Sequence, residues 1–454
     1  MFNFYLQRVT SRSILPNKYR ITDLIKEIPL NKQKQTGRIH YGWYIVGATF
    51  MILCFNAGAR YAFGVMFKPI IKEFGWGRGE VSLVFFVNMV IFAVSLLIVG
   101  KLYDRYGPKW VVIISTIFIS TGFMLTSFIH SIGQFFLSYG ILAAFGIAGT
   151  AVPLMATLTS KWFDKWRGFA VSLSVSGNSI GQFALVPLFS FFALNYGWRS
   201  SYLYIGIIML IVNILLAVFV IKGDPRHFGL KPYGFLETKE GGDDTQPPAS
   251  SEGHTMDLGL RKAMKTSAFW FFNIVMFICG GGDYFATIHL IPLATDYGIP
   301  AMTAGNMLAW YGLMSLVGVL IAGPVADFMG SKIPIILTFV LRVLLFIMLI
   351  QYKNEVSFYV FAFAFGFTHL ITAPLTPILI GKLYGFTYIG ILTGFINTVH
   401  FLGAGFWPYM AGVIFDKTGS YQLAFILSAI MAFIAVLAML LVKERRHLTM
   451  EAIS

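Results

Sequence analysis

The sequence predicts an all-α membrane protein, with twelve transmembrane helices in two pseudo-symmetric six-helix halves. Three observations carry that prediction. Of the 454 residues, 57% are hydrophobic and 12% charged, and a mean hydropathy of +0.73 leaves too little polar surface for a water-soluble chain of this length. Apolar stretches long enough to cross about 30 Å of hydrocarbon recur along the whole chain. Finally, Gly100, Asp104, Gly107 and Lys109 in GKLYDRYGPK return as Gly323, Asp327, Gly330 and Lys332 in GPVADFMGSK, each pair offset by 223 residues. An offset of half the chain points to duplicated halves. Each copy sits between two apolar stretches, the arrangement of a carrier built from parallel repeats.

Residues 1–40 form a basic segment without the apolar core of a secretory signal; Arg8, Arg12 and Arg20 leave an organellar transit peptide as the alternative. Spans then begin near Tyr41, Val81, Trp110, Phe135, Gly168 and Trp198, giving a first half over 41–222. Residues 223–265 contain GGDDTQPPASSEG, whose Pro, Gly and Ser content reads as a flexible linker. A second half over 266–442 has spans from Phe269, Thr303, Ile333, Val356, Gly390 and Tyr421, followed by a tail over 443–454. Each span must be helical, because lipid offers backbone amides no partner and the runs are too long and too uniformly apolar for barrel strands.

A formal charge of +14 invites a nucleic-acid reading, but its distribution argues otherwise. With the loops alternating between two sides, 26 of the 34 Lys and Arg fall on the side of the termini. Six lie opposite (Lys68, Lys72, Arg78, Arg199, Lys353 and Lys417), and Arg60 and Arg342 lie within spans. That is the positive-inside pattern, predicting a multi-pass protein of the plasma or inner cell membrane with both termini cytoplasmic. Cys54 and Cys279 lie in apolar segments without CxxC spacing, so neither a disulfide framework nor a thiol-metal site is expected. The chain lacks a G-x-x-x-x-G-K-[ST] loop and an HExxH pair, and its intramembrane histidines fall on separate spans. These features predict no ATP-driven pump, enzyme, cofactor or metal.

The G-x-x-x-D-R-x-G-x-K loop after the second span resembles the signature loop of the major facilitator superfamily, and the resemblance covers essentially the whole chain. KWFDKWRGFAVSLSVSG, with Trp162, Phe163, Lys165, Arg167, Gly168, Ala170 and Gly177, is similar to the fifth-helix signature of monocarboxylate porters and oxalate:formate antiporter relatives. NAGARYAFGVMFKPIIKEFGW, HLIPLATDYGIP and DPRHFGLKP fit the same group. The resemblance implies a central cavity lined by the first, fourth, seventh and tenth helices. The chain also departs from that pattern. Val65 stands where monocarboxylate porters place a lysine, Ser315 and Val319 stand where they place an acid and an arginine, and the eleventh span carries no Lys or Arg from Leu383 to Phe415.

Ionisable groups inside a membrane are costly and so are functional candidates by default. They are Arg60, Asp283, His289, Arg342, His369 and His400. Arg60, Asp283, His289 and His369 fall on helices that the resemblance assigns to the cavity. Asp283 follows Gly280, Gly281 and Gly282, which predicts a broken seventh helix. A carboxyl group there can exchange a proton as its surroundings alternate between wet and dry; the alternative is a permanent ion pair with Arg60 or a histidine. His289 is rotated about 120° from Asp283 on an ideal helix, so the two are not read as a dyad. His289, His369 and His400 are read equally as proton carriers or as hydrogen-bonded structural residues. Arg342 is expected at the periphery, turned inward to a carbonyl or an acid. Arg60 is the cationic candidate for an anionic substrate, or else a snorkelling anchor at the outer interface. Asn56 is a candidate to hydrogen-bond substrate, with Asn88, Asn178 and Gln182 beside it.

The repeated loops read as conformational gates. Asp104 and Asp327 can accept hydrogen bonds from a neighbouring helix in only one arrangement of the halves. Gly107 and Gly330 permit the tight reversal, while Arg105, Lys109 and Lys332 hold the loops on the cytoplasmic side. The resulting expectation is a secondary carrier that couples a proton to a small organic anion such as a monocarboxylate. The alternatives are a proton-coupled exporter of a more hydrophobic compound and a non-transporting sensor with the same fold.

Overall fold

The computed structural model describes residues 39–234, 258–385 and 387–442, excluding the side chain of Asp327. The amino-terminal segment up to residue 38, linker residues 235–257 and the tail 443–454 lie outside the described residues. The described residues from Tyr41 onward form one compact unit. Among the described residues, eleven helices are long and apolar enough to cross a membrane. The sequence expects twelve, and the difference lies in Arg167–Phe219, a 53-residue run. That run is long enough for two crossings and is interrupted at Gly197, where φ is 82°.

Treating its arms as separate helices gives α1 (Tyr41–Phe74), α2 (Arg78–Tyr106), α3 (Pro108–Thr126), α4 (Ile132–Lys161), α5 (167–196) and α6 (198–219). The second half comprises α7 (Ser267–Asp296), α8 (Ala301–Met329), α9 (Lys332–Gln351), α10 (Glu355–Tyr384), α11 (Ile389–Thr418) and α12 (Gln422–Leu441). The halves meet along α2 with α11 and α5 with α8, and α1 packs on α7 between them.

Two helices are interrupted at matching places. α4 breaks at Thr150, before Pro153, and α10 breaks at Leu370, before Pro374. A proline donates no backbone hydrogen bond, and the carbonyls ending each first arm lack helical partners. Those carbonyls are therefore open to side chains. The predicted break in α7 is not there: the helix runs unbroken through Gly280, Gly281 and Gly282. Its glycines serve close packing instead. A Cβ on Gly280 would collide with the His400 carbonyl of α11, and one on Gly281 would lie 2.9 Å from Cβ of Trp407.

Candidate functional site

The centre of the second half holds a dry ion pair. Arg342 Nη2 donates to Asp283 Oδ1 at 2.6 Å, with both residues 1% exposed. The main partner of Asp283 thus comes from α9 and not from Arg60; of the histidines that the sequence alternative also offered, His369 approaches the same oxygen at 3.4 Å. Arg342 turns inward from α9 to an acid and to carbonyls, as expected, and the broken α10 supplies further acceptors. Its Nη2 donates to the Thr368 carbonyl and its Nε to Thr368 Oγ1, both at 3.1 Å. Nη1 reaches the Cys279 carbonyl at 3.4 Å. The Phe365 ring covers the guanidinium at 4.5 Å.

His369 ties this pair to the other half. Its Nδ1 lies 3.4 Å from Asp283 Oδ1 and 2.9 Å from Tyr311 Oη, and its Nε2 lies 3.3 Å from Tyr61 Oη on α1. Asn56 performs the matching task in the first half. Its Nδ2 donates to the carbonyl and Oγ1 of Thr150 at the break in α4, at 3.1 and 2.6 Å. Its amide nitrogen is thereby committed to helix packing.

Of its two sequence readings, Arg60 departs in placement from the snorkelling anchor. It sits half-buried between the halves rather than at an interface, facing the rings of Phe92 (4.8 Å), Tyr284 (5.0 Å) and Phe401 (5.9 Å). Its Nη2 points at the thioether of Met89 at 3.0 Å, and its Nε has no hydrogen-bond partner. No carboxylate among the described residues pairs with it. An uncompensated guanidinium in an aromatic setting is an expensive arrangement unless an anion completes it.

The two membrane faces differ. On the face opposite the repeated loops, Asp296 at the end of α7 takes a bidentate contact from Arg78 (2.7 and 2.9 Å) and an ion pair from Lys68. Asp416 of α11 accepts from the backbone amides of Arg78 and Gly79 at 2.8 and 2.7 Å, capping the positive end of α2. The Arg78 guanidinium lies 3.5 Å above the Phe415 ring and donates to Tyr421 Oη at 3.0 Å. These contacts join the halves on that face, beside a cavity of about 530 Å³ whose walls include Lys68, Arg78, Ser190 and Thr295. On the other face, a cavity of about 570 Å³ opens between α2, α4, α10 and α11, with Gly100, Asp104, Asn397 and Phe401 among its walls.

Asp104 is exposed at the mouth of this cavity, and the side chain of Asp327 lies outside the described residues. Gly107 (φ 79°) and Gly330 (φ 78°) make the reversals. The repeated lysines act locally rather than only through charge. Lys109 Nζ donates to the Val218 carbonyl ending α6, and Lys332 Nζ donates to the carbonyls of Leu440 and Val442 ending α12. Each lysine thus caps the sixth helix of its own half at the negative dipole end. Arg105 faces the ring of Tyr106 at 5.2 Å, and Gly323 has open space where a Cβ would stand.

His289 is fully engaged away from Asp283. Because the Pro408 carbonyl can only accept, Nε2–H donates to it at 2.9 Å and Nδ1 accepts from Tyr421 O–H at 2.8 Å. A ring nitrogen of His400, Cys279 Sγ and an Asp283 oxygen lie within 4.8 Å of one another. Arg342 already holds that carboxylate, and its guanidinium would repel a cation there. Sequence reasoning missed Asp296, Asp416, Tyr421, Phe92 and Phe401. The available signal was acids at the ends of α7 and α11 on a face whose loops otherwise carry Lys68, Arg78 and Lys417.

Two helical halves with a charged centre and a cavity on each face define a multi-pass membrane transport protein. The family model for the Major Facilitator Superfamily matches residues 49–305 and 272–452, and the chain belongs to that family. It is 25% identical over 390 residues to an uncharacterized MFS-type transporter, YcxA, of Bacillus subtilis (strain 168), covering 84% of this chain and 90% of the relative. It is also 25% identical over 392 residues to monocarboxylate transporter 13 of Rattus norvegicus, covering 86% of each. Among solved structures, a bacterial homologue of the human lysosomal transporter Spinster, inward-facing and occupied, superposes with a TM-score of 0.69. It shares 14% identity, with 89% of this chain and 97% of that chain covered. The nucleoside transporter NupG superposes at 0.68 with 12% identity, covering 88% and 99%. The chain is a transporter, not an enzyme.

Proposed function

We propose that this transporter carries a small organic monoanion by alternating access, coupled to a proton, across a cell membrane with both termini in the cytoplasm. The observation that carries this reading is the guanidinium of Arg60, set between the halves with a thioether and three rings but no acid. While Asp283 is ionised it and Arg342 neutralise each other, so one positive charge is left to be matched as substrate arrives. A monoanion matches it, whereas a dianion arriving in that state strands a negative charge in a low-dielectric site. The likeness to monocarboxylate transporters over most of the chain points the same way.

In this reading Arg60 takes the substrate carboxylate in a bidentate grip. Asp283, within reach of His369 and through it of Tyr61 in the other half, is the group whose proton accompanies the substrate. Asn56 and His289 hold helices together. The Asp296 cluster is the outer gate, and Asp104 and Asp327 are latches that engage when the cytoplasmic cavity closes.

The test is pH-gradient-driven uptake of labelled lactate, pyruvate, formate and oxalate into proteoliposomes by wild type and Asp283→Asn. The monocarboxylates should enter faster than oxalate. In the variant, gradient-driven uptake should collapse while counterflow exchange survives, because Arg342 keeps its bonds to Thr368 and Cys279. Uptake of no acid at all would overturn the organic-anion reading, and an undiminished pH response in the variant would remove Asp283 from the coupling.

A further inference from the structure

The surroundings of Arg60 also bear on the rest of the molecule it would hold. Three rings from three helices face the guanidinium: Phe92 of α2, Tyr284 of α7 and Phe401 of α11. Phe92 and Phe401 meet across the halves nearly perpendicular, at 88° and 4.8 Å between centroids. Phe85 adds a fourth ring, 5.7 Å from Tyr284. The remaining close contact is the soft sulfur of Met89. Packing beside Arg60, Tyr61, Phe85 and Tyr284 leaves no space for even a water. Phe401 is the one of the three guanidinium-facing rings that also lines the 570 Å³ cavity. A ligand entering from the cavity must therefore move this ring aside or lie against it.

Resting on the reading of Arg60 as the carboxylate site, we propose that the transported monoanion has a flat aromatic body and that Phe401, with Phe92, selects it. Phe92 and Phe401 touch edge to face beside the guanidinium. A carboxylate that reaches the guanidinium from the cavity brings its attached group against Phe401, and an aryl group that displaces this ring from Phe92 replaces the edge-to-face contact it breaks. Offset and edge-to-face ring contacts favour an aryl group over a saturated body of equal size, by about three- to tenfold for each good contact. The same walls offer few partners to hydroxyl groups, so a polyhydroxylated acid would leave them unsatisfied.

The test uses the full-length protein in lipid nanodiscs and titrates benzoate, cyclohexanecarboxylate, acetate and gluconate by calorimetry. Benzoate should bind at least tenfold tighter than acetate and at least threefold tighter than cyclohexanecarboxylate, with gluconate weakest. In Phe401→Leu the benzoate to cyclohexanecarboxylate ratio should fall towards one. Phe92→Leu, read in the same way, serves if the first variant does not fold. Equal affinity for benzoate and cyclohexanecarboxylate in wild type, or an unchanged ratio in the leucine variant, overturns the aromatic selection and leaves the anion reading standing. Failure of every carboxylate to bind overturns the anion reading beneath it.

Discussion

Arg60→Gln should abolish anion transport while leaving a folded protein. Glutamine keeps much of the stem and can still face Phe92, Tyr284 and Phe401, but it removes the unmatched positive charge that these rings surround. Truncating one partner of a buried, hydrogen-bonded charge pair costs about 2–5 kcal/mol, which is on the order of thirtyfold to several thousandfold in affinity. The effect should appear in direct binding of a monocarboxylate as well as in uptake. Arg60→Lys should fall between the two, since it restores the charge without the planar fork. Melting temperature should not drop, because Arg60 makes no ion pair whose loss strands an acid. Uptake within threefold of wild type in Arg60→Gln would exclude this residue as the carboxylate site and return the choice to the histidines.

The second large effect concerns stability. Arg342→Leu should destabilise the second half by about 3–5 kcal/mol, because it leaves Asp283 charged and 1% exposed without its guanidinium. Adding Asp283→Leu should recover most of that loss, since an apolar pair of similar volume carries no desolvation penalty. The remaining deficit is the bonds from Arg342 to Thr368 and the ring contact with Phe365. Unfolding in mixed micelles of the two single variants and the double variant closes a thermodynamic cycle. Additive losses would show that the pair is not coupled in the folded protein.

The helices and their duplication were legible in the sequence, because hydrocarbon thickness fixes span length and a repeated loop marks the half-way point. Only the hinge at Gly197 blurs the count, a single left-handed glycine joining two helices end to end. The centre was legible as a set of residues and not as a set of partners. Asp283 stood out as a carboxylate in an apolar run, yet its partner lies 59 residues away on a helix expected at the rim. Arg342 is held inward by that carboxylate and by a freed carbonyl at the α10 break, the latter a signal carried by Pro374. The glycine run in α7 misled for a related reason. Flexibility in isolation becomes close approach once α11 is present, and sequence periodicity does not say which neighbour arrives. The aromatic wall of Arg60 was hidden by abundance, since among 45 Phe residues nothing distinguishes Phe92 and Phe401 until the halves meet.

The lone charge of Arg60 has an electrical corollary. When access switches from one side of a carrier to the other, a fixed central charge passes from the potential of one compartment to that of the other, although it hardly moves. The empty protein therefore shifts about one elementary charge per reorientation, worth about 2.3 kcal/mol per 100 mV, or roughly fiftyfold in the balance between the two orientations. A monoanion on Arg60 cancels that charge, but the proton that Asp283 takes up with it leaves Arg342 unmatched, so the loaded carrier also bears one positive charge. Membrane voltage then acts on both reorientations in opposite senses, and the completed cycle moves no net charge. Transient currents recorded without substrate, with no sustained current during uptake of a monocarboxylate, are the signature of such a cycle; transient currents of equal size in Arg60→Gln would assign the moving charge elsewhere.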